Sequence, residues 1–570
     1  LADVNVGISP ALQGFFKGVQ QVAVEPASTS SRQSLISLAQ VLTARFNSVN
    51  SRLSEINDGV NAGLVSAVTS INAYAKQIAD LNQQIFVAQA TANGQPPNDL
   101  LDQRDQQVIE LNKLVGVRTL MSDSGSLNVF MGSGQQLVIG SSANTMTATP
   151  SAADPTRVAV GLQVLSTSVE LPENLVSGGS LGGLLAFRRD SLEPTANQLG
   201  RVALDLVQTF NAQHALGQDL SGNKAGDANF EPDFFVVSPN APTIFSNTSN
   251  TGTASLTATF DAPSANATNF YSNLNVSDYR LAYDGTNYTV TRLSDQTVFS
   301  SATLPFALPT EGFSIQLGSG VISTNDSFII KPTHDAPGRL TLNSSIAADP
   351  RLIAAASPVR AQVTGTNSGT ASIVAPTVAT GYTAPVAGTP ARFTFAAGNL
   401  AVSGLANGTV LTVTSAGVST NYTVAAGTAS FVYSSGDTIA FNGLTTQING
   451  TPGAGDSFTV EANSSGVSDG TNSVLLGKLL TQKTMLGGTA SYQTAYSQLV
   501  SDIGNKTREI QLKQKAQQSL LDQSVAAREA QSGVNLDEEA ANLLRYQQAF
   551  QASAKLIEYG GKILDTILAI

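Results

Sequence analysis

At 570 residues the chain has room for roughly three or four domains, and its net charge of −11 argues against nucleic acid or an anionic membrane surface as a partner. Charged residues are only 12%, well under the usual share, while Ala, Gly, Ser, Thr and Asn are abundant. With no Cys, disulfides, iron–sulfur sites and thiol catalysis are excluded, and no stretch reads as a bilayer span or a secretory signal peptide, so no membrane insertion is expected.

Ser9-Pro10 starts a first helix, with Leu12, Phe15, Phe16 and Val19 on one face before Pro26 breaks the run. A second helix begins near Ser30. From Leu35 to Ile85 its apolar residues recur at steps of three and four without a proline, some fifty residues and so about 80 Å, the length of a bundle strut rather than of a core helix. Asn93-Gly94-Gln95-Pro96-Pro97 ends it, and Asn98-Asp99 starts a third helix expected to fold back antiparallel on the second. Residues 117–175 show short β-like runs at Leu127–Met131, Gln136–Ile139 and Arg157–Leu165. Helix returns from Ser180 to about His214, with a kink expected at Pro194.

Residues 218–472 alternate Thr, Ser, Asn, Gly and Val in short runs, the pattern of an inserted all-β region. Asn287-Tyr288-Thr289-Val290 and Asp326-Ser327-Phe328 recur as Asn421-Tyr422-Thr423-Val424 and Asp456-Ser457-Phe458. Two tandem β units, at about 218–345 and 385–470, would produce this repeat; so would chance similarity among Thr-rich strands. The Ala-rich piece Ser345–Val359 reads as a short helix or linker between them. Helical spacing resumes at 473–530, interrupted at Gly487-Gly488.

The last forty residues hold the most specific pattern. Leu536, Ala540, Leu543, Gln547, Phe550, Ala554, Ile557, Gly561, Leu564 and Leu568 follow at alternating steps of four and three, the repeat of a coiled-coil seam. Asn535 is placed to cap the helix, with Glu538 closing a capping box. The small residues Ala540, Ala554 and Gly561 invite close approach by another backbone, so the seam Leu536, Ala540, Leu543, Phe550, Ala554, Ile557, Gly561, Leu564 and Leu568 is the candidate assembly site. The fold class expected is α+β multidomain: a long-helix bundle or coiled coil made from both chain ends (1–116, 176–217, 473–530 and the assembly helix 531–570), a small β segment at 117–175, and the all-β region inserted in the middle.

No catalytic, cofactor or metal residues are assigned. The two histidines, His214 and His334, are 120 residues apart, which excludes a metal site of common spacing. Zincin, Walker and nucleophile-elbow motifs are absent from the sequence. Asp219, Ser221, Asn223 and Asp227 have the spacing of a calcium loop, but Lys224 stands where its glycine belongs and Phe230 where its closing Glu belongs, so a turn-rich connector is the better reading. Asp537-Glu538-Glu539 is explained by capping rather than as a catalytic acid pair.

SGVNLDEEAANLLRYQQAFQASAKLI (532–557) resembles the C-terminal signature of the bacterial flagellar axial proteins: the rod, hook and hook-associated proteins. AYAKQIADLNQQI (73–85), LLDQRDQQVIELNKLVGV (100–117) and VSDIGNKT (500–507) narrow the resemblance to the family of the first hook-associated protein, which joins hook to filament. Members of that family begin with a further helical stretch that bears an Asn-rich turn, pairs with the C-terminal helix and includes the export signal. No counterpart stands among these residues, and with Leu1 in place of Met a longer natural N-terminus is expected. The resemblance implies a non-enzymatic structural protein, secreted by the flagellar export apparatus and built into the extracellular flagellum. It implies as partners further copies in a ring, the flagellar hook protein, hook-associated protein 3 and a cytosolic export chaperone. An adhesin or glycan-binding protein acting through the β region is the alternative.

Overall fold

The computed structural model describes residues 7–91, 96–123, 125–132, 134–165, 167–265, 269–363, 365–385, 389–396, 398–464, 466–532 and 536–568, without the side chains of 531, 532, 536, 537, 556 and 559–568. Two compact units divide the chain, 1–500 and 501–570.

In the first unit α1 (Ile8–Val24) buries Ile8, Leu12, Phe15, Phe16, Val19 and Val22, one stripe at helical spacing. The chain turns at Pro26, whose carbonyl accepts from Arg32 Nε at 2.7 Å, and runs on as α2 (Thr29–Thr91), 63 residues and about 94 Å long. Two stretches of α2 are buried. Leu35, Ile36, Ala39, Leu42 and Phe46 form one, and Val60 to Ile85 form the other, of which Val60 to Ala79 pack with α3 (Asn98–Leu114) and the small β segment in a continuous core. That segment is β1 (Val117–Met121), β2 (Leu127–Met131), β3 (Gln135–Ile139) and β4 (Ser142–Ala143) in one sheet, and β5 (Met146–Pro150), β6 (Val158–Val164) and β7 (Thr167–Glu170) in another. Its inward residues, Val129, Met131, Val138, Met146 and Val160, alternate along the strands against the helices.

The helix after it is continuous. α4 (Gly179–Phe187) passes through one π-helical turn, Arg188–Leu192, into α5 (Glu193–His214). Pro194 falls in the first turn of α5, directly after the wide turn, so the ladder is locally unwound where the proline, which has no N–H to give, enters the helix. Around the end of α5 the rings of Phe15, Phe16, Phe210, Phe234 and Phe235 lie 4.9 to 6.3 Å apart, and Tyr492 stacks on Phe16 at 6.0 Å.

From this aromatic core β8 (Phe235–Val237) leads into a first sandwich. Its strands are β9 (Thr243–Ser246), β10 (Ser255–Phe260), β11 (Ser264–Ala265), β12 (Phe270–Tyr271), β13 (Tyr279–Tyr283), β14 (Tyr288–Arg292), β15 (Val298–Ser301), β16 (Phe306–Leu308), β17 (Phe313–Ser319) and β18 (Ser327–Lys331). The main sheets run β15-β14-β13-β18-β9 and β10-β17-β16. The chain returns through α6 (Ala336–Arg339), β19 (Leu340–Leu342), which pairs with β8, and α7 (Ser344–Ala348).

A second sandwich then consists of β20 (Val359–Val363), β21 (Ser372–Ile373), β22 (Thr377–Val378), β23 (Ala391–Ala396), β24 (Asn399–Ser403), β25 (Val410–Ser415), β26 (Val418–Thr423), β27 (Thr428–Val432), β28 (Thr438–Phe441), β29 (Leu444–Asn449) and β30 (Ser457–Ala462). Its sheets run β20-β30-β23-β24-β27 and β21-β29-β28-β25-β26, with β22 also on β29. Residues 359–378, which sequence reading left between the two β stretches, thus belong to this sandwich.

The two sandwiches share one plan. The order β15-β14-β13-β18-β9 becomes β27-β24-β23-β30-β20, and β10-β17-β16 becomes β21-β29-β28; the hairpin β25–β26 is the addition. Corresponding residues make the same hydrogen bonds. Asp326 accepts from the backbone N–H groups of Thr251, Gly252 and Ser323, and Asp456 from those of Ser368, Gly369 and Gly453. Asn250 brackets Ser327 as Asn367 brackets Ser457. Of the repeat read from sequence, Asp-Ser-Phe therefore occupies equivalent positions, whereas Asn-Tyr-Thr-Val does not: Tyr288 starts β14, while Tyr422 lies in the added hairpin.

After β30 the chain forms α8 (Thr471–Lys478), a turn through Gly487-Gly488, and α9 (Tyr492–Ser532), followed by α10 (Leu536–Leu568).

Candidate assembly interface

The first turns of α9 are anchored in the first unit, where Tyr492, Ala495, Tyr496 and Leu499 are buried on consecutive turns. Beyond Ser501 burial stops. Ile510, Leu512, Leu520, Leu521 and Val525 are all exposed, and so are the described side chains of α10 apart from the half-buried Asn542. Leu543, Phe550 and Ile557 stand 61%, 76% and 76% exposed. They are seven residues apart, so they drift by only about 20° per step around the helix and form one straight stripe.

Ala540 and Ala554 interleave with them, also exposed. Leu536, Gly561, Leu564 and Leu568 lie within the same helix, but their side chains are outside the described residues, as is the expected cap Asn535. The span from Leu536 to Leu568 is about 48 Å of helix. Its described part, Ala540 to Ile557, is an exposed apolar stripe about 26 Å long.

The residues weighed for chemistry are placed elsewhere. His214 ends α5 and is fully buried. Its Nδ1 lies 2.9 Å from the Pro232 carbonyl and its Nε2 accepts from the Ala354 N–H at 3.0 Å, so the ring is the neutral Nδ1–H tautomer. Burial pushes its pKa down to about 4. His334 is half-buried and pairs with Asp335 at 2.8 Å. Asp219 is occupied by its own loop, accepting from the N–H groups of Ser221 and Asn223 and from the Asn223 amide, while Asp227 accepts from Lys224 N–H. This is the turn-rich connector. Among the described residues no group of three or more His, Asp or Glu is arranged to hold a metal ion.

Two polar junctions were not foreseen from sequence. One roots the second sandwich. Arg32 on α2 donates to the Ile353 carbonyl at 2.7 Å, Gln218 pairs with Ala356, Asn472 donates to the Ala354 carbonyl, and Asn463 and Asp469 hold Ser357. The other roots the first sandwich. Lys331, the last residue of β18, pairs with Asp154 at 2.5 Å, both about 95% buried. Nearby Arg157 reaches Glu173 and Glu193, and Arg188 of the π-helical turn reaches Glu173 at 2.6 Å and the carbonyl of Val158. Burial alone would raise the Asp154 pKa, but the Lys331 charge and hydrogen bond outweigh it and hold the carboxylate below its ordinary range. Burial raises Glu193 despite Arg157. These pairs join residues tens to hundreds of positions apart, and no local spacing announces them.

Comparison with known proteins covers the whole chain. The family model for the flagellar hook-associated protein FlgK helical domain matches residues 1–230. That for the D2-like domain of flagellar hook-associated protein 1 matches 245–332, and that for the flagellar basal body rod FlgEFG protein C-terminal region matches 528–570. Flagellar hook-associated protein 1 of Salmonella typhimurium is 33% identical over 574 residues, 100% of this chain and 82% of that protein. The Escherichia coli K12 protein of the same name is 30% identical over 575 residues, with the same coverage. The solved structure of the flagellar hook junction protein FlgK from Burkholderia pseudomallei superposes with a TM-score of 0.82 at 34% identity, over 93% of this chain and 94% of that one. With helical body, sandwiches and terminal helix all inside these matches, the chain belongs to the flagellar hook-associated protein 1 family.

Proposed function

We propose that the chain is a non-catalytic structural component of the bacterial flagellum, exported and built in outside the cell, where it joins hook to filament. The observation that carries this reading is identity of about one third to hook-associated protein 1 along the entire chain, the terminal seam included. In this reading the helical segments 1–116, 176–217 and 473–530 form the body, the sandwiches of the 218–472 region project from it, and 531–570 is the assembly helix.

The stripe Leu543, Phe550, Ile557 is supported as the assembly seam by its exposure. Covering these three side chains would contribute about 5 to 9 kcal/mol per copy. Ala540, Ala554 and Gly561 would let a second backbone approach closely, while Leu536, Leu564 and Leu568 extend the seam to both ends of α10. The partners of this reading are further copies of the chain in a ring, the hook protein on one side, hook-associated protein 3 on the other, and an export chaperone that holds the C-terminal helix before assembly. The adhesin alternative has no support from the relatives, which are flagellar along the full chain.

Deleting the gene tests the reading. Cells should keep intact hooks and release unpolymerised flagellin, and a Phe550→Asp, Ile557→Asp double variant should fail to restore filaments. Filaments of normal length on deleted cells would overturn it.

A further inference from the structure

From 361 to 436 the second sandwich carries a single charged residue, Arg392, where the chain average of 12% would place about nine. The added hairpin lies in this stretch. β26 ends one sheet and β27 ends the other, and the two edges sit side by side, joined by a tight turn in which Ala425 and Thr428 bridge. β26 reads VSTNYT, paired with β25 along all six residues on one side and exposed at every position but the half-buried Tyr422. Val418 is 68% and Val432 75% exposed.

Natural sheets guard free edges with Lys, Pro, inward charges or bulges. None of these residues occurs from Val418 to Val432. The first sandwich is guarded: β16 lies between Pro305 and Pro309, and β15 follows Asp295, ion-paired to Arg292 at 2.9 Å.

We propose that this charge-free corner, strands β26 and β27, is a contact surface for a second copy of the chain, made by backbone pairing at the open edges. Charge selects the occupant. Each copy carries −11, so copies repel over most of their surfaces, and the corner is where they approach without a like-charge penalty. A strongly charged partner would find nothing complementary there. Edge pairing is driven by main-chain groups, so a neutral Thr/Ser/Val strand suffices. Copies already held by their terminal helices supply the effective concentration that makes a modest edge contact persist. The proposal therefore rests on the reading that the chain assembles with its own copies.

The Cys-free sequence makes disulfide trapping clean. Neighbours in a ring meet head to tail, so Thr420→Cys on β26 and Ser430→Cys on β27 are introduced together into the full chain in cells, with Ser300→Cys on the guarded edge β15 replacing Thr420→Cys in the control. Paired strands bring Cα atoms to about 5 Å, within disulfide reach. After mild oxidation of isolated flagella, Thr420→Cys with Ser430→Cys should yield roughly tenfold more covalent dimer than Ser300→Cys with Ser430→Cys, and adding Val418→Lys should remove that excess. Equal yields from the two pairs, or an excess indifferent to Val418→Lys, would overturn the corner contact while the junction reading stands. Absence of the chain from flagella altogether would overturn both.

Discussion

Asp205 and His214 lie nine residues apart on α5, both fully buried, and their titrations oppose one another. Burial raises Asp205 from 3.8 to about 7, although Ser272 donates to it and Arg201 stands nearby. Burial lowers His214 from 6.5 to about 4, and the Arg32 charge adds to the shift. Between about pH 7 and pH 4 the unfolded chain protonates His214 while the folded chain keeps it neutral, so stability falls by about 3 kcal/mol as the pH drops. Over the same window the folded chain protonates Asp205 while the unfolded chain keeps it charged, so stability rises by about 4 kcal/mol. The two nearly cancel in the native protein. Asp205→Asn keeps an acceptor for Ser272 and removes one of the two titrations. Urea unfolding of the full chain, followed by far-UV circular dichroism at several pH values, should show the variant losing about 4 kcal/mol relative to wild type from neutral to acid pH. Subtracting wild type removes the carboxylates the two proteins share. A difference constant to within about 1 kcal/mol across the window would refute the assignment of a neutral, buried Asp205.

Lys331→Met leaves Asp154 buried and unpaired, at a cost of about 3 to 5 kcal/mol; calorimetry should show the first sandwich melting upwards of about 10 °C lower, with much of the loss restored by adding Asp154→Leu. Gly252→Ala and Gly369→Ala should behave alike, because the new Cβ would sit 2.3 Å from Asp326 Oδ2 in one case and 2.3 Å from the Gly453 nitrogen in the other. Each should cost about 1 to 3 kcal/mol, read as faster amide exchange in β18 and β30 respectively. Phe550→Asp, at a side chain 76% exposed, should change the melting of the isolated chain by less than about 0.5 kcal/mol while abolishing filament formation.

The helices were legible because their signal is periodic over many turns. α1, α2, α3 and the run from α4 through the π-helical turn to α5 lie within a few residues of the helices expected from Ser9, from near Ser30, from Asn98 and from Ser180 to about His214. The helix α10 was legible for the same reason. What periodicity could not convey is that α2 buries two separate stretches against different neighbours, or that a π-helical turn precedes Pro194. The ion pairs of Asp154 with Lys331 and of Arg188 with Glu173 were beyond reach, since a charged residue declares nothing about a partner brought in by tertiary folding.

The sandwiches show where a weak sequence code separates into signal and accident. Asp326-Ser327 and Asp456-Ser457 recur because each aspartate ties three backbone N–H groups of two loops to the strand that follows it, and each serine backbone is bracketed by an asparagine amide from the facing segment. The facing segments, Asn250-Thr251-Gly252-Thr253-Ala254-Ser255 and Asn367-Ser368-Gly369-Thr370-Ala371-Ser372, were the better half of the repeat and were overlooked. Their glycines admit no Cβ and their threonines exchange bonds with Val321 and Thr451 in the same way. Asn-Tyr-Thr-Val recurs for a poorer reason: any two half-exposed antiparallel strands favour alternating Thr with a β-branched or aromatic residue. A repeat whose residues close the same hydrogen bonds constrains topology, whereas a repeat that only satisfies strand preference constrains nothing beyond the strand itself.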